Sequence, residues 1–166
     1  MNKMKEIRVE KVVINIGCGE TGEKLERARN LLNSLTDKKV LLTRTSGRTT
    51  FGTPKNRAIG CKVTLRGNDA IEFLKRALDS VDFKIKKKSF DTQGNFSFGI
   101  KEHISIPKVR YDPTIGIYGM DVCVRLERRG YRVSRKKNPS KIPKDHRIKP
   151  EEAREWMIKN FNIKVE

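Results

Sequence analysis

An α+β fold is predicted, with helices laid on one face of a sheet, and three features predict it. Segments at 59–66 and 96–101 alternate apolar and polar residues with period two, as half-buried strands do. Stretches at 23–35, 71–78 and 153–161 repeat their apolar residues at helical spacing. Their order along the chain is strand, helix, two strands, helix, one or two strands, a further strand and a helix, and 166 residues suit a single domain over 1–166.

Residues 7–16 open the series as a β-branched strand whose second half is apolar on both sides except at Asn15. An Asn inside a strand either bonds a neighbouring loop or meets a ligand. Gly17-Cys18-Gly19-Glu20-Thr21-Gly22 then matches G-x-G-x-x-G between strand and helix. A dinucleotide fold would need a second parallel strand ending in an acid, whereas the strand at 40–43 ends in Arg44, so the glycines are read as turning the chain into a helix. That helix carries Leu25, Ala28, Leu31, Leu32 and Leu35 on one side.

The stretch Thr43–Gly67 holds six Lys or Arg and no Asp or Glu. Residues 44–58 form an exposed basic loop, rich in Gly, Thr and Ser, with Phe51 between Arg48 and Lys55 and with Arg57 near its end. In the following strand Ile59, Cys61, Val63 and Leu65 face the core, while Gly60, Lys62, Thr64 and Arg66 take the opposite face. A second helix is predicted with Asn68 as N-cap, acids Asp69 and Glu72 near its start and Ile71, Leu74 and Leu78 along one side. Lys84, Lys86, Lys87 and Lys88 make either a solvated edge or phosphate contacts. Phe96, Phe98 and Ile100 then form one strand face, opposite Asn95, Ser97, Gly99 and Lys101, and aromatics so placed are more often core than base-stacking platforms. After an irregular 104–119 and a strand at 120–127, residues 128–149 carry ten Lys or Arg against one acid, Asp145. Alone this insert reads as a solvated flexible arm, ordered by phosphates when RNA is beside it. Pro150 at a first helical position, Glu151 and Glu152 start the last helix, with Trp156 in the core.

Thirty-eight Lys or Arg against 20 Asp or Glu give a net charge of +18, which calls for a polyanion. No apolar run is long enough to span a membrane and no signal peptide or lipidation motif is read at the start, so the expectation is a cytoplasmic protein with no membrane partner. Cys18, Cys61 and Cys123 lack Cys-x-x-Cys spacing, and His103 and His146 are far apart, so reduced thiols, no metal, no cofactor and no catalytic residues are expected. The rival readings are an RNA-processing enzyme, a non-ribosomal RNA-binding module and an oxidoreductase built on the glycine run.

Five ordered motifs go further: Val13-Ile14-Asn15-Ile16-Gly17, Ile59-Gly60-Cys61-Lys62-Val63-Thr64-Leu65-Arg66-Gly67, Lys88-Ser89-Phe90-Asp91 with Gly94-Asn95-Phe96, Gly99-Ile100-Lys101-Glu102, and Tyr111-Asp112 with Gly119-Met120-Asp121. In these the chain resembles the large-subunit ribosomal protein L-five family, which binds 5S ribosomal RNA. The resemblance implies a curved, mainly antiparallel sheet backed by helices, located in the central protuberance with other ribosomal proteins. It implies 5S rRNA and adjacent large-subunit rRNA as partners, with Asn15, Lys38, Lys62, Thr64, Arg66, Asn95 and Ser97 in the rRNA-facing set. Lys38 stands where the family frequently has Gln. The loop between the central strands resembles the family's arm towards P-site tRNA, which assigns Arg48, Phe51, Lys55 and Arg57 to it. Arg132, Arg135, Lys136 and Lys137 are added as basic RNA contacts from the 128–149 insert, whose cations phosphates would order; that insert is absent from the bacterial pattern and looks archaeal. Bacterial members begin with an additional helical segment, and nothing attributed to that segment is carried over.

Overall fold

The computed structural model describes residues 2–48, 50 and 52–166, so Phe51 lies outside the described residues. The elements are β1 (Ile7–Gly17), α1 (Glu23–Thr36), β2 (Leu41–Arg44), β3 (Ala58–Leu65), α2 (Gly67–Asp79), β4 (Lys84–Ile85), β5 (Phe96–Ile100), β6 (Met120–Arg128), α3 (Pro150–Phe161) and β7 (Lys164–Val165). Five strands form a mostly antiparallel sheet in the order β2-β3-β1-β6-β5, which with three helices makes the fold α+β, as predicted. β2 and β3 pair antiparallel, with an irregularity at Thr43/Arg44. Because β3 lies between β2 and β1, the two strands flanking α1 are not neighbours, so the adjacent parallel pair of a dinucleotide fold is not formed.

The chain divides into two compact units. One comprises Val13–Leu65 and Gly99–Val122. Here α1 packs on β3 and buries Leu25, Ala28, Leu31, Leu32 and Leu35, while Ile14, Ile16, Cys61, Val63, Leu65, Ile100, Met120 and Val122 are among the buried strand residues. Of the alternation read at 59–66, residues 61–65 show it side chain by side chain, whereas Ile59, expected in the core, is half-buried. Gly60 is buried although it falls on the other face: a Cβ there would lie 2.8 Å from Thr43 Oγ1 and 2.9 Å from the Ile16 carbonyl oxygen, so β3 needs glycine to approach its neighbours. At the glycine run, the N–H groups of Cys18 and Gly19 both donate to the Ile59 carbonyl, and α1 starts after Gly22 at φ 103°. The run turns the chain, as its structural reading expects.

The other unit comprises Arg66–Phe98 and Cys123–Glu166 with the N-terminal segment up to Val12. α2 begins at Gly67, not after an Asn68 cap, and buries Ala70, Phe73, Leu74, Ala77 and Leu78. Ile71, expected on the buried side, is 37% exposed, because the stripe runs through the two alanines, which a search for large apolar residues passes over. Phe96 is buried, with Phe90 and Phe98 both in ring contact with it. Trp156, expected in the core, is half-buried and packs against the buried Phe161. β7 returns the C-terminus to pair parallel with β4, a connection with no expectation in the sequence.

Candidate nucleic-acid interface

β3 presents Lys62 and Thr64 on the face away from its buried residues, half-buried and exposed respectively, and neither side chain has a polar partner among the described residues. Asn15 reaches the corresponding half-exposed register of β1, because Ile14 and Ile16 take the core register. Its carboxamide makes no hydrogen bond among the described residues, so of the two readings for a strand-interior Asn, the bond to a neighbouring loop is not found. It opens on a cavity of about 530 Å³ floored by Gly17, Gly99 and Gly119 and edged by Lys101 and Asp121. A Cβ at Gly119 would fall 3.0 Å from the Lys101 carbonyl oxygen. Bare backbone of this kind admits another chain closely.

The basic loop is closed at its base by one buried hydroxyl residue. Thr45 donates its N–H to the Arg57 carbonyl at 2.9 Å and its Oγ1 to the Pro54 carbonyl at 2.7 Å, while Oγ1 accepts the Arg57 N–H at 3.1 Å. Arg48 and Lys55 are exposed beyond this clasp, with no polar partner among the described residues. Arg57 is committed in part, its Nε donating to Thr21 Oγ1 at 3.0 Å. Lys38 is exposed ahead of β2.

The insert is built differently from its expectation as a solvated arm. Glu10 sits in the buried register of β1 and Glu127 is buried near the end of β6. Around these carboxylates gather Arg8, 2.6 Å from Glu127 Oε1; Arg66, 3.5 Å from Glu10 Oε1; Arg125, 2.8 Å from Glu10 Oε2; and Arg135, paired with both acids. Arg128, itself buried, meets Glu152 Oε2 at 2.8 Å, and the same oxygen accepts the Lys149 N–H at 3.2 Å at the start of α3. Tyr131 donates to the His146 carbonyl and accepts the Ile148 N–H, and Ile148 is 1% exposed against Gly94. The insert therefore folds on the chain's own acids and a small apolar anchor. Arg66 and Arg135, both assigned to RNA, face these carboxylates. Arg132, Lys136 and Lys137 are exposed without polar partners among the described residues.

Asn95 is likewise committed: its Nδ2 donates to Asp91 Oδ2 at 2.9 Å and its Oδ1 accepts the Leu126 N–H at 3.2 Å. Ser97 is exposed on β5. Glu10 and Glu127 are the residues that sequence reasoning missed. The signal was present at Glu10, which shares its strand register with Val12, Ile14 and Ile16.

Nothing in these groups resembles catalytic machinery. None of the three cysteines is in a disulfide among the described residues, and burial, with Cys18 adding to it, pushes the Cys61 thiol up to about 11, far from a nucleophilic thiolate. His103 is buried, and burial lowers its pKa. Among the described residues no group of His, Cys, Asp and Glu could hold a metal ion, and no helix is long and apolar enough to cross a membrane.

A strand face that offers a cation and a hydroxyl without polar partners among the described residues, with bare glycine backbone and a clasped basic loop in the same unit, defines a polyanion-binding structural protein. Residues 2–47 match the family model for ribosomal protein L5, and residues 58–163 match the model for the C-terminus of the same ribosomal family. The large ribosomal subunit protein uL5 of Sulfolobus acidocaldarius is 48% identical over 99% of this chain and 93% of its own length. Those of Methanosphaera stadtmanae and Pyrobaculum aerophilum are 46% and 47% identical, covering 100% and 98% of this chain and 100% and 92% of their own lengths. The chain belongs to the ribosomal protein L5 family. It is a structural protein of the large ribosomal subunit, located on the ribosome in the cytoplasm, and not an enzyme.

Proposed function

We propose that the chain binds 5S rRNA and adjacent large-subunit rRNA in the central protuberance, beside other ribosomal proteins, and that its 44–58 loop contacts P-site tRNA. The observation that carries this reading is the β3 face, where Lys62 and Thr64 have no partner among the described residues while the alternate residues Cys61, Val63 and Leu65 are buried. A rigid strand thus holds a cation and a hydroxyl at fixed spacing, suited to phosphate and 2′-hydroxyl contacts across an RNA backbone. Asn15, without a side-chain hydrogen bond among the described residues, and the recess it shares with Gly17, Gly99 and Gly119 supply a polar group and room in the same unit. Arg48 and Lys55 beyond the Thr45 clasp support the tRNA contact. The net charge of +18 makes affinity fall steeply with salt.

The test is a titration of the protein against 5S rRNA and against a transfer RNA, each at low and at physiological salt, with a Lys62→Ala/Thr64→Ala chain in parallel. A preference for 5S rRNA at physiological salt, abolished by the double change, is expected. Equal binding of both RNAs by the unchanged chain sinks the reading.

A further inference from the structure

The insert encloses a second concavity, of about 500 Å³, separate from the residues assigned above to rRNA. Its rim carries three cations, Arg125, Lys141 and Arg147, and no Asp or Glu lines it among the described residues. Its walls include Tyr131 and Ile142, with the Ser140 hydroxyl at the edge. Arg147 is oriented by its Nε, which donates to the Ile142 carbonyl at 3.2 Å, and Arg125 is held by charge, its Nε 2.8 Å from Glu10 Oε2. This leaves the forked end of each guanidinium, the part that matches phosphate oxygens in bidentate fashion. Tyr131 is held rigidly, because its hydroxyl serves both the His146 carbonyl and the Ile148 N–H.

We infer that this pocket receives one unstacked nucleotide of large-subunit rRNA, its base against Ile142 and the exposed margin of Tyr131, which is 9% exposed, and its phosphate on the three cations; the inference rests on the rRNA-binding reading above. The volume falls in the range of about 300–1,000 Å³ found for small-ligand sites. Proteins read RNA chiefly at loops and bulges, where a splayed base can leave the stack and lie on an aromatic wall. A cationic rim around an apolar wall matches a nucleotide, anionic at one end and flat and apolar at the other. The acids Glu10 and Glu127 then have a purpose beyond stability, since they hold the insert so that the pocket exists before RNA arrives.

The experiment uses the whole protein and deproteinised large-subunit rRNA, with the 5S and the long rRNA titrated separately. Ser140→Trp fills the pocket from its edge, and Lys141→Glu reverses one exposed rim charge that has no polar partner among the described residues. Each is expected to weaken binding to one of the two RNAs by roughly tenfold, the loss of one stacked base or one phosphate contact. Circular dichroism checks the fold; should Ser140→Trp misfold, the surface change Lys141→Glu decides. Folded variants that bind both RNAs as the unchanged chain does overturn the pocket, while the Lys62→Ala/Thr64→Ala chain still reports on the strand face. If the unchanged chain binds large-subunit rRNA no better than transfer RNA, the rRNA reading fails and takes the pocket with it.

Discussion

The loop at 44–58 and the insert at 128–149 carry the same signature in sequence, a run of cations almost without acids, yet they are held in opposite ways. In the loop, an uncharged clasp at Thr45 closes the base and leaves Arg48 and Lys55 unpaired among the described residues. In the insert, buried carboxylates from β1 and β6 take up Arg135, and Glu152 takes up Arg128. A basic run thus says that a polyanion is wanted, but which cations remain for it depends on acids far away in the chain.

The largest effect expected from breaking the insert comes from Gly94→Ala. Gly94 has φ 75°, and a Cβ there would sit 2.7 Å from Ile148 Cγ2 and 3.1 Å from Ala153 Cβ. Overpacking and the left-handed backbone together should cost about 3 kcal/mol, read from denaturant midpoints. A loss below about 0.5 kcal/mol would mean that Ile148 is not a firm anchor. Next comes Glu10→Ala, which removes the carboxylate shared by three arginines. Breaking a buried ion pair costs about 3–5 kcal/mol, but the guanidiniums here are 38–58% exposed, so about 2 kcal/mol is expected. The contrast is Lys62→Ala on β3, which touches no partner among the described residues: stability should change by less than about 0.5 kcal/mol while RNA affinity falls. If Lys62→Ala unfolds the protein as Glu10→Ala does, the distinction between the two kinds of cation is wrong.

The same contrast explains what could be read in advance. The β3 face was legible because a period of two over eight residues needs only local sequence, and the first helix because its leucines repeat over eleven, from Leu25 to Leu35. The carboxylate latch was not, because its bonds join Arg8 to Glu127 and Arg135 to Glu10 across 119 and 125 residues. Ile71 misled because two alanines complete the stripe of α2, and alanine is too small to mark a buried face by itself. The β4–β7 pair escaped because strands of two residues carry no periodicity at all.

The smallest effect lies in the unit that carries the loop, and it tests whether that unit responds to conditions independently of the latch. His103 is 1% exposed, and its Nδ1 accepts the Tyr118 N–H at 3.3 Å, which requires the nitrogen to be unprotonated. Burial lowers its pKa below the ordinary value of about 6.5. The unfolded chain therefore takes up a proton near that pH while the folded chain resists it. Stability is full above about pH 6.5 and declines as the pH falls below it, towards the depressed folded value. His103→Asn can offer an acceptor to the same N–H without titrating, so its denaturant midpoint should stay flat over the interval in which the unchanged chain declines. A Glu10→Ala chain should keep the decline, because the partners of Glu10 are Arg66, Arg125 and Arg135, whereas His103 is bonded by Tyr118, and sites with no shared partner usually add. Parallel profiles for the unchanged chain and His103→Asn would show that the ring is not held neutral. A decline lost in Glu10→Ala would show that the two units share one response, and the separation between free and latched cations would then have to be drawn across the whole sheet.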